Sequence, residues 1–159
     1  MFRTTLICGI FAAVLGGAEA AAATLKADAC PAGYPAEARC SLLKVPEDRS
    51  KPEGRRLDLK LVVLPARAAQ PQAPVFILSG GPGQPATDSV PGFAGSWMRQ
   101  AHDMVFLDLR GTGRADGLDC PPRPGAGLQV YLEPPFADTA RFEACRAELA
   151  RRADLRLYT

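Results

Sequence analysis

The sequence predicts an α/β fold, an antiparallel β-hairpin edge followed by parallel βαβ units, the start of a mostly parallel sheet. Three observations predict it. "RLDLKLVVLPA" (Arg56–Ala66) alternates apolar and polar residues with a period of two, as a half-buried strand does. "VFIL" (Val75–Leu78) and "MVFLDL" (Met104–Leu109) are unbroken apolar runs, suited to strands covered on both faces. "DTARFEACRAELARR" (Asp138–Arg152) places Phe142, Cys145 and Leu149 at i, i+3 and i+7, the spacing of a helix face.

Taken in order, the chain starts with a targeting signal, read over residues 1–22. Arg3 and the α-amino group precede an apolar core, Leu6–Ala18, too short to span a bilayer, and Ala18-Glu19-Ala20 offers a cleavage site. Cys8 lies inside that core, away from any lipidation position, so no stable membrane anchor is expected. Residues 23–159 are read as one domain. Cys30–Arg39 is a lead-in loop, Ser41–Val45 a short strand, and "PEDRSKPEGR" a polar hairpin connection. The next strand carries Leu57, Leu59, Leu61 and Val63 on one face, with Asp58 and Lys60 opposite. After a loop over Ala66–Pro74 comes the strand Val75–Leu78. Asp88–Gln100 is a weak helix broken near Pro91, Gly92 and Gly95, with Asp88 or Ser89 as cap, and it leads to the strand from Met104. The last helix takes Asp138 or Thr139 as N-cap, with Arg151 and Arg152 favourable in its final turn.

Composition narrows the partners. Nineteen basic and seventeen acidic residues are scattered through 159 positions, which leaves no footprint for nucleic acid and no polybasic run for lipid. Export makes the cysteines meaningful. Four remain after Cys8 is removed, and four allow three connectivities; the short loops favour Cys30 with Cys40 and Cys120 with Cys145. No C-x-x-C occurs and His102 is the one histidine, read as lying at the start of a strand. No metal site and no cofactor are expected.

Two glycine turns hold the chemistry. "SGGPGQ" (Ser79–Gln84) follows an apolar strand, at the edge of an α/β sheet where ligands bind. It reads either as a tight turn or as a loop aiming backbone donors at a developing oxyanion. Pro82 cannot donate, which leaves Gly80, Gly81, Gly83 and Gln84 as donors. A phosphate loop is excluded, for it would need a Lys and a Ser or Thr that are absent. "FLDLRGTGRADGLDC" (Phe106–Cys120) is the second. Asp108 and Arg110, two apart, are expected to pair within a structural turn punctuated by Gly111 and Gly113. Asp116 stands where a dinucleotide fingerprint would need glycine.

These stretches together, with "CSLLKVPED", "PEGRRLDLKLVVLPA", "FILSGGPGQ", "HDMVFLDLRGTG" and "LDC", resemble exported α/β-hydrolases of the tripeptidyl-aminopeptidase-like and prolyl-aminopeptidase-like serine peptidases. The similarity runs from about Cys30 to Thr159. It implies the N-terminal part of an α/β-hydrolase fold, incomplete. It also implies that Gly80 and Gly81 supply oxyanion-hole amides, with Pro82, Gly83 and Gln84 supporting the loop. The D-x-R-G-x-G turn then borders the active site. Relatives carry His or Asn where Ser79 stands, which argues against a side-chain role there. Such enzymes use a serine on a G-x-S-x-G elbow, then an acid, then a histidine. None of Ser41, Ser50, Ser79, Ser89 or Ser96 has that context, and His102 lies too early in the chain. The expectation is a fragment of a secreted serine hydrolase, inactive as written, whose complete form takes a peptide or small acyl substrate. An esterase of the same fold, or a truncated secreted binding protein without catalysis, are the alternatives.

Overall fold

Leu57 and Leu59 are both buried on one face of the strand that the alternation predicts, Arg56–Leu64. In the computed structural model, which describes residues 24–81, 83–120 and 138–158, it is the third of five strands. These are β1 (Thr24–Ala27), β2 (Arg39–Pro46), β3 (Arg56–Leu64), β4 (Gln72–Ile77) and β5 (His102–Leu107). They form one sheet in the order β1-β2-β3-β5-β4. The expected hairpin is β2–β3, antiparallel, with Leu43 opposite Leu59 and Val45 opposite Leu57. β1 pairs outside β2, so the hairpin is not the edge of the sheet.

The predicted apolar stripe of β3 holds for half its length. Leu57 and Leu59 are buried on one face, whereas Val62 and Leu64 are buried on the other and Leu61 and Val63 are half-covered. The reason is β5, which pairs with the second half of β3 and sets Phe106 opposite Val62 and Met104 opposite Leu64. Cys40, Ala86 and Val90 complete that core, and Phe93 meets Phe106 edge-on with ring centroids 5.5 Å apart.

The α/β-hydrolase fold class expected from the sequence is overturned. That architecture needs several parallel βαβ units. Here one pair is parallel, β4–β5, against three antiparallel pairings. The segment expected as the first crossover helix is two 3-10 turns, Ala86–Phe93 and Trp97–Gln100. Pro91 stands inside the first, and a proline there removes a backbone donor and blocks a regular α-helix. Neither Asp88 nor Ser89 caps it; Ser96 caps the second turn instead. The described chain has two α-helices, α1 (Gly113–Asp116) and α2 (Thr139–Arg152), and is a small sheet-rich domain.

Burial on both faces holds for β5, where Met104, Val105 and Phe106 are all covered, and fails for β4. β4 is the outer strand, and Phe76 and Leu78 stand 60% and 69% exposed. It starts earlier than its apolar run, at Gln72, with a register shift before Val75. Pro74 falls in that shift, a position an edge strand tolerates. In α2, Asp138 caps as expected, accepting from the Arg141 N–H at 3.0 Å. Cys145 and Leu149 are buried, while Phe142 is not.

Arg99 is the unexpected core residue. Its guanidinium, 3% exposed, donates to the Pro65 and Ala94 carbonyls and to Glu37 Oε1 at 2.7 Å. It ties the second 3-10 turn to the loops on either side.

The disulfides are Cys30–Cys40 and Cys120–Cys145, the pairing that the short loops favoured. Two disulfides fit an exported protein. The segment read as a signal peptide lies outside the described residues. Among the described residues, no helix is long and apolar enough to cross a membrane.

Candidate functional site

The two glycine turns, remote in sequence, come together at the ends of neighbouring parallel strands. β4 runs into Ser79–Gln84 and β5 into Asp108–Gly113. Between them lies an open cleft of about 490 Å³. Gly83, Pro85 and Asp88 line one side and Gly113, Gly117 and Asp119 the other, with Arg152 of α2 at its rim. A second cavity of about 370 Å³ adjoins it, sharing Pro85, Asp88 and Gly113. Its further walls are Tyr34 and the floor formed by Thr87 and Asp108.

Asp108 is the pivot of the cluster. β5 ends at Leu107, so Asp108 leaves the strand and turns into the protein, 2% exposed. One carboxylate oxygen accepts from the Thr87 N–H and the other from the Thr87 hydroxyl, both at 2.9 Å. Burial pushes its pKa above the ordinary carboxylate value, against the lowering effect of these bonds. The expected pairing with Arg110 does not occur. Arg110 instead donates to the Glu47 carbonyl at 2.9 Å, because the chain has left the strand and the two side chains no longer share a face.

Gly113, at φ +76°, explains the second glycine of the turn. A Cβ there would stand 2.5 Å from Asp108 Oδ2 and 3.4 Å from Pro85 Cβ. The turn is therefore packed directly on the base of the first loop. Gly111, also at positive φ, lies against the Tyr158 ring, and its carbonyl accepts from the Leu118 N–H at 3.0 Å.

In the first loop, Gly80, Gly81, Gly83 and Gln84 are exposed, and Pro82 lies outside the described residues. Gly81 and Gly83 lie in a hydrogen-bonded turn, and among the described residues the Gly80 and Gly81 amides donate no hydrogen bond. Gly81 has φ +139°, which favours glycine. The place its Cβ would occupy is 3.1 Å from the Gln84 nitrogen and 3.2 Å from the Gly83 nitrogen. Two backbone nitrogens thus flank one point that only a missing side chain leaves open. Among the described residues Ser79 makes no bond into this cluster, and His102 accepts or donates through Nδ1 at the Ala73 carbonyl, 2.7 Å away, at the start of β5. Among the described residues, no His, Cys, Asp and Glu gather closely enough to hold a metal ion.

Sequence reasoning missed the groups that brace this site. Tyr34 donates its hydroxyl to the Thr87 carbonyl at 2.7 Å, linking the Cys30–Cys40 loop to Asp108 through one residue. Lys60 is held by Asp28 Oδ2 at 2.5 Å and the Ala29 carbonyl, and its hydrogen bond lowers the Asp28 pKa. On the far side of the turn, buried Glu47 accepts from the Tyr158 hydroxyl at 2.8 Å and the Asp154 N–H, beside Arg55. Partners separated by 21 to 111 positions leave no local pattern to read.

Comparison with known protein families and with curated proteins finds no match.

Proposed function

We propose that this chain carries the oxyanion-stabilising loop of a serine hydrolase exported to the periplasm or the extracellular space, acting on peptides to release N-terminal residues. One observation carries the reading. Two exposed amides with no partner among the described residues, those of Gly80 and Gly81, stand on a bare loop beside the cleft. Acyl transfer places negative charge on a former carbonyl oxygen, and preset backbone donors lower the energy of that state without reorganising. The buried Asp108–Thr87 bonds and Gly113 brace the base of the loop, so the donors are mounted on a packed turn.

The resemblance of the two glycine turns to those of tripeptidyl-aminopeptidase-like and prolyl-aminopeptidase-like serine peptidases supports the same chemistry. The reading concerns the site and asks nothing of the sheet beyond the strand that ends in the loop. No serine here has an elbow context, so the nucleophile, its acid and its histidine belong to polypeptide beyond these 159 residues.

The test has two arms. The chain alone should not react with a fluorophosphonate probe; labelling of any of its serines would refute the placement of the nucleophile. Reading the gene past the codon for Thr159 should reveal an in-frame strand ending in G-x-S-x-G. In the enzyme so completed, Gly81→Val should lower acylation about 100- to 1,000-fold, the usual effect of losing an oxyanion donor. Unchanged turnover would refute the assignment.

A further inference from the structure

Strand alternation gives this sheet two apolar faces, and the core of Val62, Met104 and Phe106 occupies one of them. On the other, Leu43 and Leu59 are cross-strand partners in β2 and β3, Val45 follows two residues on, and Leu107 extends the surface across β5. These four side chains floor a groove of about 400 Å³.

Two arginines line its mouth, Arg49 and Arg110. Arg49 is exposed and makes no hydrogen bond or ion pair within the described residues. Arg110 gives one N–H to the Glu47 carbonyl, and no described carboxylate comes within ion-pair distance of it. Guanidinium groups are planar forks that fit a carboxylate in two-point contact. An aliphatic trough with two uncompensated cations at its mouth is complementary to a molecule with an alkyl body and one anionic end.

We propose that this groove binds a medium-chain carboxylate, its alkyl chain along Leu43, Val45, Leu59 and Leu107 and its head group at Arg49 and Arg110. The site lies on the sheet face opposite the core and is independent of the glycine loop. Its chemistry sets two signatures. Each methylene taken out of water should raise affinity about fourfold until the groove is filled. The charge preference should be for anions over cations of the same chain length.

Titration calorimetry of the full chain with hexanoate, octanoate and decanoate, each below its micelle concentration, tests both. Affinity should climb severalfold per methylene, and decyltrimethylammonium should bind at least tenfold more weakly than decanoate. Arg49→Glu should weaken octanoate about tenfold by reversing one exposed charge at the mouth. Its melting temperature should stay at the wild-type value, because Arg49 has no partner among the described residues to lose. Leu107→Ala should flatten the chain-length dependence while keeping the preference for anions. No saturable heat with decanoate would overturn the proposal, as would equal binding of the cationic amphiphile or unchanged octanoate affinity in Arg49→Glu.

Discussion

Gly113→Ala tests whether the second glycine turn is built around Asp108. At φ +76° any L side chain sits in the left-handed region, at a cost of about 1–2 kcal/mol. The new Cβ would also stand 2.5 Å from Asp108 Oδ2, a contact that real Cβ atoms do not make. Asp108 is 2% exposed and cannot swing into solvent without opening the turn. It must therefore move off Thr87 and weaken at least one of its two 2.9 Å bonds. A hydrogen bond to a charged group contributes about 1.5–3 kcal/mol. The sum is a destabilisation of about 2.5–5 kcal/mol. Urea unfolding followed by circular dichroism measures it. Gly80→Ala is the matched control, since a Cβ there meets nothing within 4 Å, and it should stay within about 0.5 kcal/mol of wild type. In a Thr87→Val background, with the bonds already weakened, Gly113→Ala should cost about half as much. Wild-type stability in Gly113→Ala, or full additivity with Thr87→Val, would refute the argument.

Three further outcomes follow from the same geometry. Tyr158 has its pKa pushed up to about 12 by burial and by donation to Glu47. The native state then keeps a proton that the unfolded chain loses from about pH 10. Stability should fall between pH 10 and 12, and Tyr158→Phe should remove that part of the slope in pH-dependent unfolding. Chain-entropy estimates make the Cys120–Cys145 bridge, spanning 25 positions, worth about 3.5 kcal/mol, and Cys30–Cys40, spanning 10, about 2.7 kcal/mol. Paired Cys→Ala variants should rank in that order by denaturant midpoint. Arg99→Met leaves the Pro65 and Ala94 carbonyls without their donor and should cost about 2–4 kcal/mol in the same assay.

Much of the local structure was legible because it rests on short-range physics. The strand Arg56–Leu64, the proline-bearing connection before it and the Asp138 cap each act within a few residues, and each appears where the pattern put it. The Pro91 and Gly92 interruptions also signalled that Asp88–Gln100 would not make a sound helix. What misled was the apolar run Val75–Leu78. Its side chains read as fully covered, yet coverage depends on neighbours, and β4 has one on a single side. The same limit applies to Asp108 and Arg110. Their two-residue spacing implies a shared face while the strand continues, and β5 stops one residue short of Asp108.

The sequence by itself determined the approximate place of four of the five strands, which cysteines are close enough to pair, and that the two glycine turns follow apolar strands. Those features depend on backbone freedom, side-chain period and loop length, all local properties of the chain. Tertiary structure alone decided the sheet order, the buried carboxylate and its partner. It also decided that the two turns share a cleft. Thr87 meets Asp108 across 21 positions because parallel pairing of β4 with β5 carries both turns to one end of the sheet. That juxtaposition arises from strand pairing between distant segments, and no window of sequence contains it.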